Sequence, residues 1–391
     1  MQRSRGMRDL LPADMRAFRR VEDAFRAAAS RWGYEEVRTP TIETYSLFTA
    51  AGALTPQMLS RVYSFLDWDG WSGERVVLRP DSTIPVARAA AGAGLDLPAR
   101  LSYVQNVFRF SESGDREDWQ CGIEYLGAPA LIGDLEVAAL ALETFDALGL
   151  KADVRLSHAG ITRAIVEAAS ANGNEADMLD AVAEDGLAAV RPAVGGSSQL
   201  AALVEVALRS GGPELLANLR ALAGTGLPAA LGPIDELAGV AGALAESGRN
   251  VIIDLGMRRG FAYYTGVVFE FTALGETWGS GGRYTPACSD LAGSACGLAL
   301  EASRLAAHLT ATTRKRLVVS IIPRTPPDLG RAISVARALH RSGVAATLTD
   351  DAGESEIVVT VSGERLLTKT PGGEREMVAL DDLVGLLVQF K

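Results

Sequence analysis

The sequence predicts an α+β protein: a sheet core flanked by helices, with an inserted helical segment and a small C-terminal α/β unit. Three observations carry this. Alternating, β-branched runs recur between residues 75 and 126 and again between 250 and 272. Residues 171 to 248 contain no aromatic residue and are rich in Ala, Leu, Glu and Gly. From Leu317 the pattern changes to strand, helix, strand, strand, helix. A chain of 391 residues has room for two or three domains at about 100 to 200 residues each. The divisions expected are a core over 1–313, containing the insertion at about 171–248, and a tail over 314–391.

Taking the elements in order, Met15, Phe18, Val21, Phe25 and Trp32 recur at helical spacing from Ala13 to Trp32, and Gly33 is placed to cap that helix. YEEVRTPTIE follows as a short β-rich run, which Pro40 demotes to a strand end or edge. Arg75–Leu78, Leu101–Phe110 and Trp119–Leu126 read as strands, the last two joined through Ser113, Gly114 and Asp115 as an antiparallel hairpin. Leu135–Leu148 reads as a helix and Asp153–Leu156 as a strand. Strand signals return at Asn250–Leu255 and Tyr263–Thr272. GSGGRY (279–284) reads as a tight glycine turn, and residues 297–309 as a helix. In the tail, LVVSII, VAATLT and EIVVTVS are strands, Asp328–Ser342 is a helix, and a last helix starts at Asp381.

Composition excludes several function classes. The net charge of −10 argues against gripping nucleic acid by bulk electrostatics. The longest uncharged run, Thr44–Ser60, has 17 residues interrupted by Gly52, Pro56 and Gln57, so no membrane span is expected. The N-terminus lacks the apolar stretch of a secretion signal, and three cysteines form no disulfide framework, so a reducing cytoplasm is the expected location. His158, His308 and His340, with no Cys/His pair at ligand spacing, predict no metal site and read as packing or surface residues.

Polar residues concentrate in LRPDSTIPVAR (78–88), NVFRFSESGDREDWQCGIEYLG (106–127), RRGFAYYTGVVFE (258–270) and GSGGRY. Charge within apolar strands is costly unless a partner or ligand compensates it. Gln120 and Glu124 are four apart on one strand and share a face, opposite Cys121 and Ile123. With Asp81 and Thr83 nearby they would make a small acidic pocket suited to an ammonium. Arg109, Arg116 and Arg259 supply guanidinium groups able to fork onto a carboxylate or phosphate.

These blocks resemble the class II aminoacyl-tRNA synthetase core, and specifically its histidyl branch. GMRDLLP (6–12) resembles that branch's N-terminal signature, GYEEVRTPTIE the dimer-forming motif 1, VFR with REDWQCGIEYLG motif 2, and GLALEASRL (297–305) motif 3. RGFAYYTGVVFE and GGRY resemble its two histidine-specific motifs. The resemblance covers nearly the whole chain and implies a six- or seven-stranded antiparallel sheet flanked by helices. It implies that Asp81, Thr83 and Gln120 meet a histidine ammonium, that Glu124 and Tyr264, with Tyr263 beside it, meet the imidazole, and that Arg259 meets the carboxylate. Arg259 and Tyr264 are five apart, so Arg259 is expected in the loop before the strand. Arg109, Arg116 and Arg304 are the candidates for binding an anion or phosphate.

The chain departs from true synthetases at the nucleotide and tRNA surfaces. Eleven positions separate Arg109 from Gln120, the Pro-Gln-x-Gly-Arg stretch of the family loop is absent, and SESGD brings two acids in its place. Glu301 stands where motif 3 has its second glycine, and Ser303 where it has a glutamate. RGFAYY has Ala262 where the family has an acid. Residues 171–248 hold three basic and ten acidic residues, and the tail, eleven basic and ten acidic, resembles a shortened anticodon-binding domain. LRPDSTIPVAR is similar to the paralogue of histidine biosynthesis, the regulatory subunit of ATP phosphoribosyltransferase. That likeness implies no catalytic residue and no cofactor, a short-form catalytic subunit as partner, self-association as a homodimer within a hetero-oligomer, histidine as feedback ligand, and neither nucleic acid nor membrane as partner. A divergent histidyl-tRNA synthetase stays open, since Arg109, Arg259 and Arg304 remain, as does a free-standing ligase acting on another carrier.

Overall fold

The computed structural model describes residues 3–50, 59–68, 73–112, 114–170, 174–195, 198–257, 263–286, 293–310, 317–353 and 355–390. Two compact units divide the chain, Met1–Ala311 and Thr312–Lys391.

The first unit is built on a nine-stranded sheet. Its strands are β1 (Glu35–Glu36), β5 (Ala99–Phe108), β6 (Glu117–Leu126), β7 (Asp153–His158), β8 (Ser210–Gly211), β9 (Val251–Asp254), β10 (Tyr264–Ala273), β11 (Glu276–Tyr284) and β12 (Ala295–Glu301). They lie in the order β1-β5-β6-β12-β11-β10-β7-β9-β8. The six central strands, β5 to β7, pair antiparallel throughout. The edges add a parallel β1 and a parallel β9 with its short partner β8, so the sheet is wider than the six or seven strands expected. A separate three-stranded sheet, β2 (Ile42–Thr44), β4 (Gly73–Leu78) and β3 (Ser64–Trp68), follows Pro40.

Period-two alternation sorts the side chains of this sheet. Cys121, Ile123 and Tyr125 of β6 and Cys296, Leu298 and Leu300 of β12 point into the main core, where they meet the helices Pro12–Arg31, Ile132–Leu148 and Ala302–Thr310. Pro12 opens the first helix at the position where its missing N–H is not needed, Asp14 accepts from the Leu11 N–H at 3.0 Å, and Phe18, Val21 and Phe25 bury its apolar stripe. The other sheet face carries Gln120, Gly122 and Glu124, and the helix Thr83–Ala93 packs over one end of it through Val86, Ala87 and Ala90.

Two assignments made from sequence are corrected. GSGGRY is the end of a strand, not a turn: a β-carbon on Gly281 would fall 2.1 Å from the Gly297 carbonyl oxygen, so the glycines let β11 and β12 close up. Residues 295–301 form β12, and the helix expected over 297–309 begins only at Ala302. The insertion is helical as read, with its longest helices at Leu215–Gly226 and Leu231–Glu246. The second unit pairs β14 (Ala345–Leu348), β13 (Val318–Pro323), β15 (Ile357–Ser362), β16 (Arg365–Thr370) and β17 (Gly373–Met377) in that order, with helices Leu329–Arg341 and Leu380–Val388 on its core. The hairpin β16–β17 escaped the sequence reading, because RLLTKT and GEREM are short, charged and split by a glycine turn.

Candidate functional site

The open face of the central strands forms a floor without bulk. Gly122 of β6 lies between Gln120 and Glu124, and Gly297 of β12 stands directly opposite Glu124. A β-carbon at Gly122 would sit 2.2 Å from Cζ of Tyr103, and one at Gly297 would sit 2.0 Å from Glu124 Oε2. These two positions are glycine because other side chains already lie on them.

Glu124 is the fully buried centre of this face. The Tyr284 hydroxyl donates to its Oε2 at 2.7 Å, the Tyr103 hydroxyl reaches Oε1 at 3.4 Å, and the Thr83 hydroxyl is a third partner. Burial nevertheless dominates, and the carboxyl is pushed up to about 8 against the stabilising bonds from Tyr284 and Thr83. At neutral pH the group holds its proton. Burial, with Glu124 next in weight, also raises Tyr103 and Tyr284 far above the ordinary phenol range. Tyr263 stacks on Tyr284 at 4.9 Å between ring centroids and meets Tyr264 edge-on at 5.4 Å, so an aromatic wall closes this end.

Asp81 lies at the start of the helix Thr83–Ala93. Its Oδ1 accepts from the Ile84 N–H at 3.1 Å, and the Thr83 and Ser82 N–H groups also serve it. Burial raises its carboxyl above the usual range, opposed by Arg109. At the far end of β6, Gln120 is 5% exposed and its Oε1 has no hydrogen-bond partner. Asp118 shares its face, and Glu301 is its direct cross-strand partner. Burial, followed by Glu301 and Asp115, raises the Asp118 carboxyl, while Arg109 and Arg304 act in the opposite sense.

The structure thus gathers Thr83, Glu124, Tyr263 and Tyr264 at one end with Asp81 at the rim, and Gln120 at the other. Arg109 donates from Nε to the Pro80 carbonyl at 2.7 Å, beside both Asp81 and Asp118. Arg304 donates to the Thr277 carbonyl at 3.1 Å. Arg116 instead turns onto its own loop, where it donates to the Ser111 carbonyl at 2.8 Å and lies over the Phe110 ring at 4.5 Å. Arg259 lies outside the described residues.

Sequence reasoning missed Tyr103 and Tyr284, the hydroxyls that hold Glu124. Tyr103 could have been found from its parity with Leu101 and Gln105 along LSYVQ; Tyr284 was hidden by reading its strand as a turn. His158, expected as a packing or surface residue, is buried with a carboxylate partner: it ends β7, caps the helix Ala159–Ala169 through Nδ1, and places Nε2 at 3.2 Å from Glu236 of the insertion.

With this geometry in hand, comparison with known proteins decides the family. The model of the histidyl-tRNA synthetase family matches residues 6–305. An ATP phosphoribosyltransferase regulatory subunit of Dehalococcoides mccartyi is 39% identical over 358 residues, covering 88% of this chain and 87% of that protein. The chain belongs to the histidyl-tRNA synthetase family, in its ATP phosphoribosyltransferase regulatory subunit branch. A histidine–tRNA ligase of Methanocaldococcus jannaschii is 31% identical over 69% of this chain and 65% of its own. Among solved structures, an ATP phosphoribosyltransferase regulatory subunit/histidyl-tRNA synthetase from Bacillus halodurans aligns with a TM-score of 0.76 at 28% identity, covering 90% of this chain and 93% of that one. Within this branch the α+β class II fold accounts for the antiparallel centre of the sheet. Among the described residues no helix is long and apolar enough to cross a membrane, and no group of three His, Cys, Asp or Glu side chains converges to hold a metal.

Proposed function

We propose that the chain is a non-catalytic regulatory subunit of ATP phosphoribosyltransferase, working in the cytoplasm with a short-form catalytic subunit at the first step of histidine biosynthesis and carrying feedback inhibition by histidine. One contrast supports this reading above all. The Glu124 end of the face is complete, with three hydroxyls and an aromatic wall around one buried acid, whereas the end that would hold a nucleotide is acidic, with Glu301 opposite Gln120. Triphosphate is repelled there.

Histidine then lies across the glycine floor. A protonated Glu124 offers a donor to one ring nitrogen, Tyr264 serves the other, and Asp81, Thr83 and Gln120 face the ammonium while Arg259 forks onto the carboxylate. Binding becomes feedback only if histidine has different affinity for two states of the assembly. The three-stranded sheet after Pro40 leaves Ile42 and Phe65 exposed on one face and Leu66 and Trp68 on the other, apolar surface suited to a second copy of the chain. The acidic insertion and the nearly neutral tail, read as a shortened anticodon-binding domain over 314–391, favour a subunit that does not bind tRNA.

The test has two arms. Free histidine should raise the thermal stability of the purified chain in a concentration-dependent way, and the shift should vanish in folded Glu124→Ala and Arg259→Ala variants. Histidinol should shift it less and leucine not at all. Co-expression with the short catalytic subunit should yield phosphoribosyltransferase activity that histidine inhibits. The second reading, a histidyl-tRNA synthetase, draws on Arg109 and Arg304; robust histidine-dependent ATP–pyrophosphate exchange by the chain alone would establish it and overturn the first.

A further inference from the structure

Glu301 has so far counted only as an obstacle to nucleotide, yet its surroundings point to a ligand of its own. Directly opposed residues on neighbouring antiparallel strands hold their β-carbons about 4.5–5.5 Å apart on one face. Gln120 and Glu301 are such a pair, with Asp118 next on the same face. The Gln120 amide oxygen is buried with no donor, an unpaired state that an incoming N–H group relieves.

The surrounding field favours a cation. Arg109 and Arg304 are the guanidiniums nearest Asp118 in electrostatic effect, and both already donate to backbone carbonyls. With no three-ligand metal cluster among the described residues, the cation called for is organic. Asp81, the sequence candidate for an ammonium, already accepts N–H groups from the start of its own helix, which leaves it less acceptor capacity for a ligand. The dimensions agree. Gln120 and Glu124 are four residues apart, roughly 14 Å at about 3.4 Å per residue, with only Gly122 between them on that face. That gap takes two inward-reaching side chains and one small amino acid.

We propose that Glu301, together with the unpartnered Gln120 carbonyl, receives the α-ammonium of the amino acid held in this pocket. The inference rests on the reading that the pocket binds histidine and deepens it: the residue that closes the nucleotide site is also the one that selects for an amine. Asp118 supports Glu301 by keeping the field negative, and the Ser303 hydroxyl, accepting from the Trp119 N–H at 2.8 Å, pins β6 to the start of the helix after Glu301.

The experiment is calorimetric titration of the full chain, wild type and Glu301→Gln, with histidine and with imidazole-lactate, in which a hydroxyl replaces the ammonium. Wild type should prefer histidine by at least tenfold. Glu301→Gln should weaken histidine about tenfold, the loss of one charge-assisted hydrogen bond, and leave imidazole-lactate unchanged. Glu124→Gln serves as the control at the other end, since it should weaken both ligands alike. Equal affinity of wild type for the two ligands, or equal loss of both in Glu301→Gln, overturns the assignment of Glu301 while the histidine pocket stands. Failure of wild type to bind either ligand removes the pocket itself and this inference with it.

Discussion

Replacing Glu124 by glutamine separates the charge of the pocket from its shape. In the unfolded chain this carboxyl loses its proton near 4.5, whereas in the folded chain burial holds it until about 8. Between those values the native state binds more protons than the unfolded one, so stability falls as pH rises through the window and is level above about 8. At 1.36 kcal/mol per pH unit the full span costs at most about 5 kcal/mol, and local relaxation brings the expected cost to roughly 3–5 kcal/mol. The amide of Glu124→Gln has no proton to lose, so the variant should be more stable than wild type at pH 8.5, with the difference shrinking toward pH 5. Urea unfolding of the ligand-free chain followed by tryptophan fluorescence reads this cleanly, because all five tryptophans precede residue 279 and report the first unit alone. Parallel wild-type and variant curves from pH 5 to 8.5 would refute a proton-holding Glu124. The same proton shapes binding: histidine affinity should be greatest between about 6.5, where free imidazole gains a proton, and about 8, where the pocket loses its own.

Three further outcomes are expected. His158 is driven below its ordinary value first by burial, against the pull of Glu236 and Asp134 and with Arg163 adding to the depression, so acid should destabilise the protein as pH falls below about 6.5; His158→Gln should flatten that limb in thermal melts between pH 7 and 5. Glu301→Gly, which restores the family's glycine, should gain measurable ATP binding by filter retention or calorimetry where wild type shows none; absence of any gain would shift the blame to the short acidic loop. The purified chain should sediment as a dimer at micromolar concentration, and Leu66→Asp with Trp68→Asp should yield folded monomers if the exposed sheet is the contact.

How legible the site was depended on how local its causes are. Gln120 and Glu124 were found on one face of β6 because alternation is a property of a single strand. Asp81 and Thr83 were found as neighbours, but the helix they begin was not, since STIPVARAAAGA carries a proline that reads as a breaker until Asp81 is seen accepting the Ile84 N–H. Tyr284 was lost because three glycines in six residues suggest a turn, while their actual cause is the approach of a strand from eleven or more residues away. GLALE (297–301) reads as part of the following helix because a short apolar run satisfies both periods and only the sheet partners decide. The pairing of Glu301 with Gln120 spans 181 positions and had no local signal at all.

Gly122 gives the pocket an off position that no ligand chemistry requires. Its missing side chain is the space in which the Tyr103 ring rests, and Tyr103 is fully buried. A single methyl group there would lift the ring into the volume a histidine needs and carry its hydroxyl away from Glu124, without touching the sheet's hydrogen bonds or the apolar surface after Pro40. On the proposed reading of the chain as a histidine-sensing subunit, Gly122→Ala would be deaf but still able to assemble, and a cell carrying it would be expected to keep making histidine past the point of feedback.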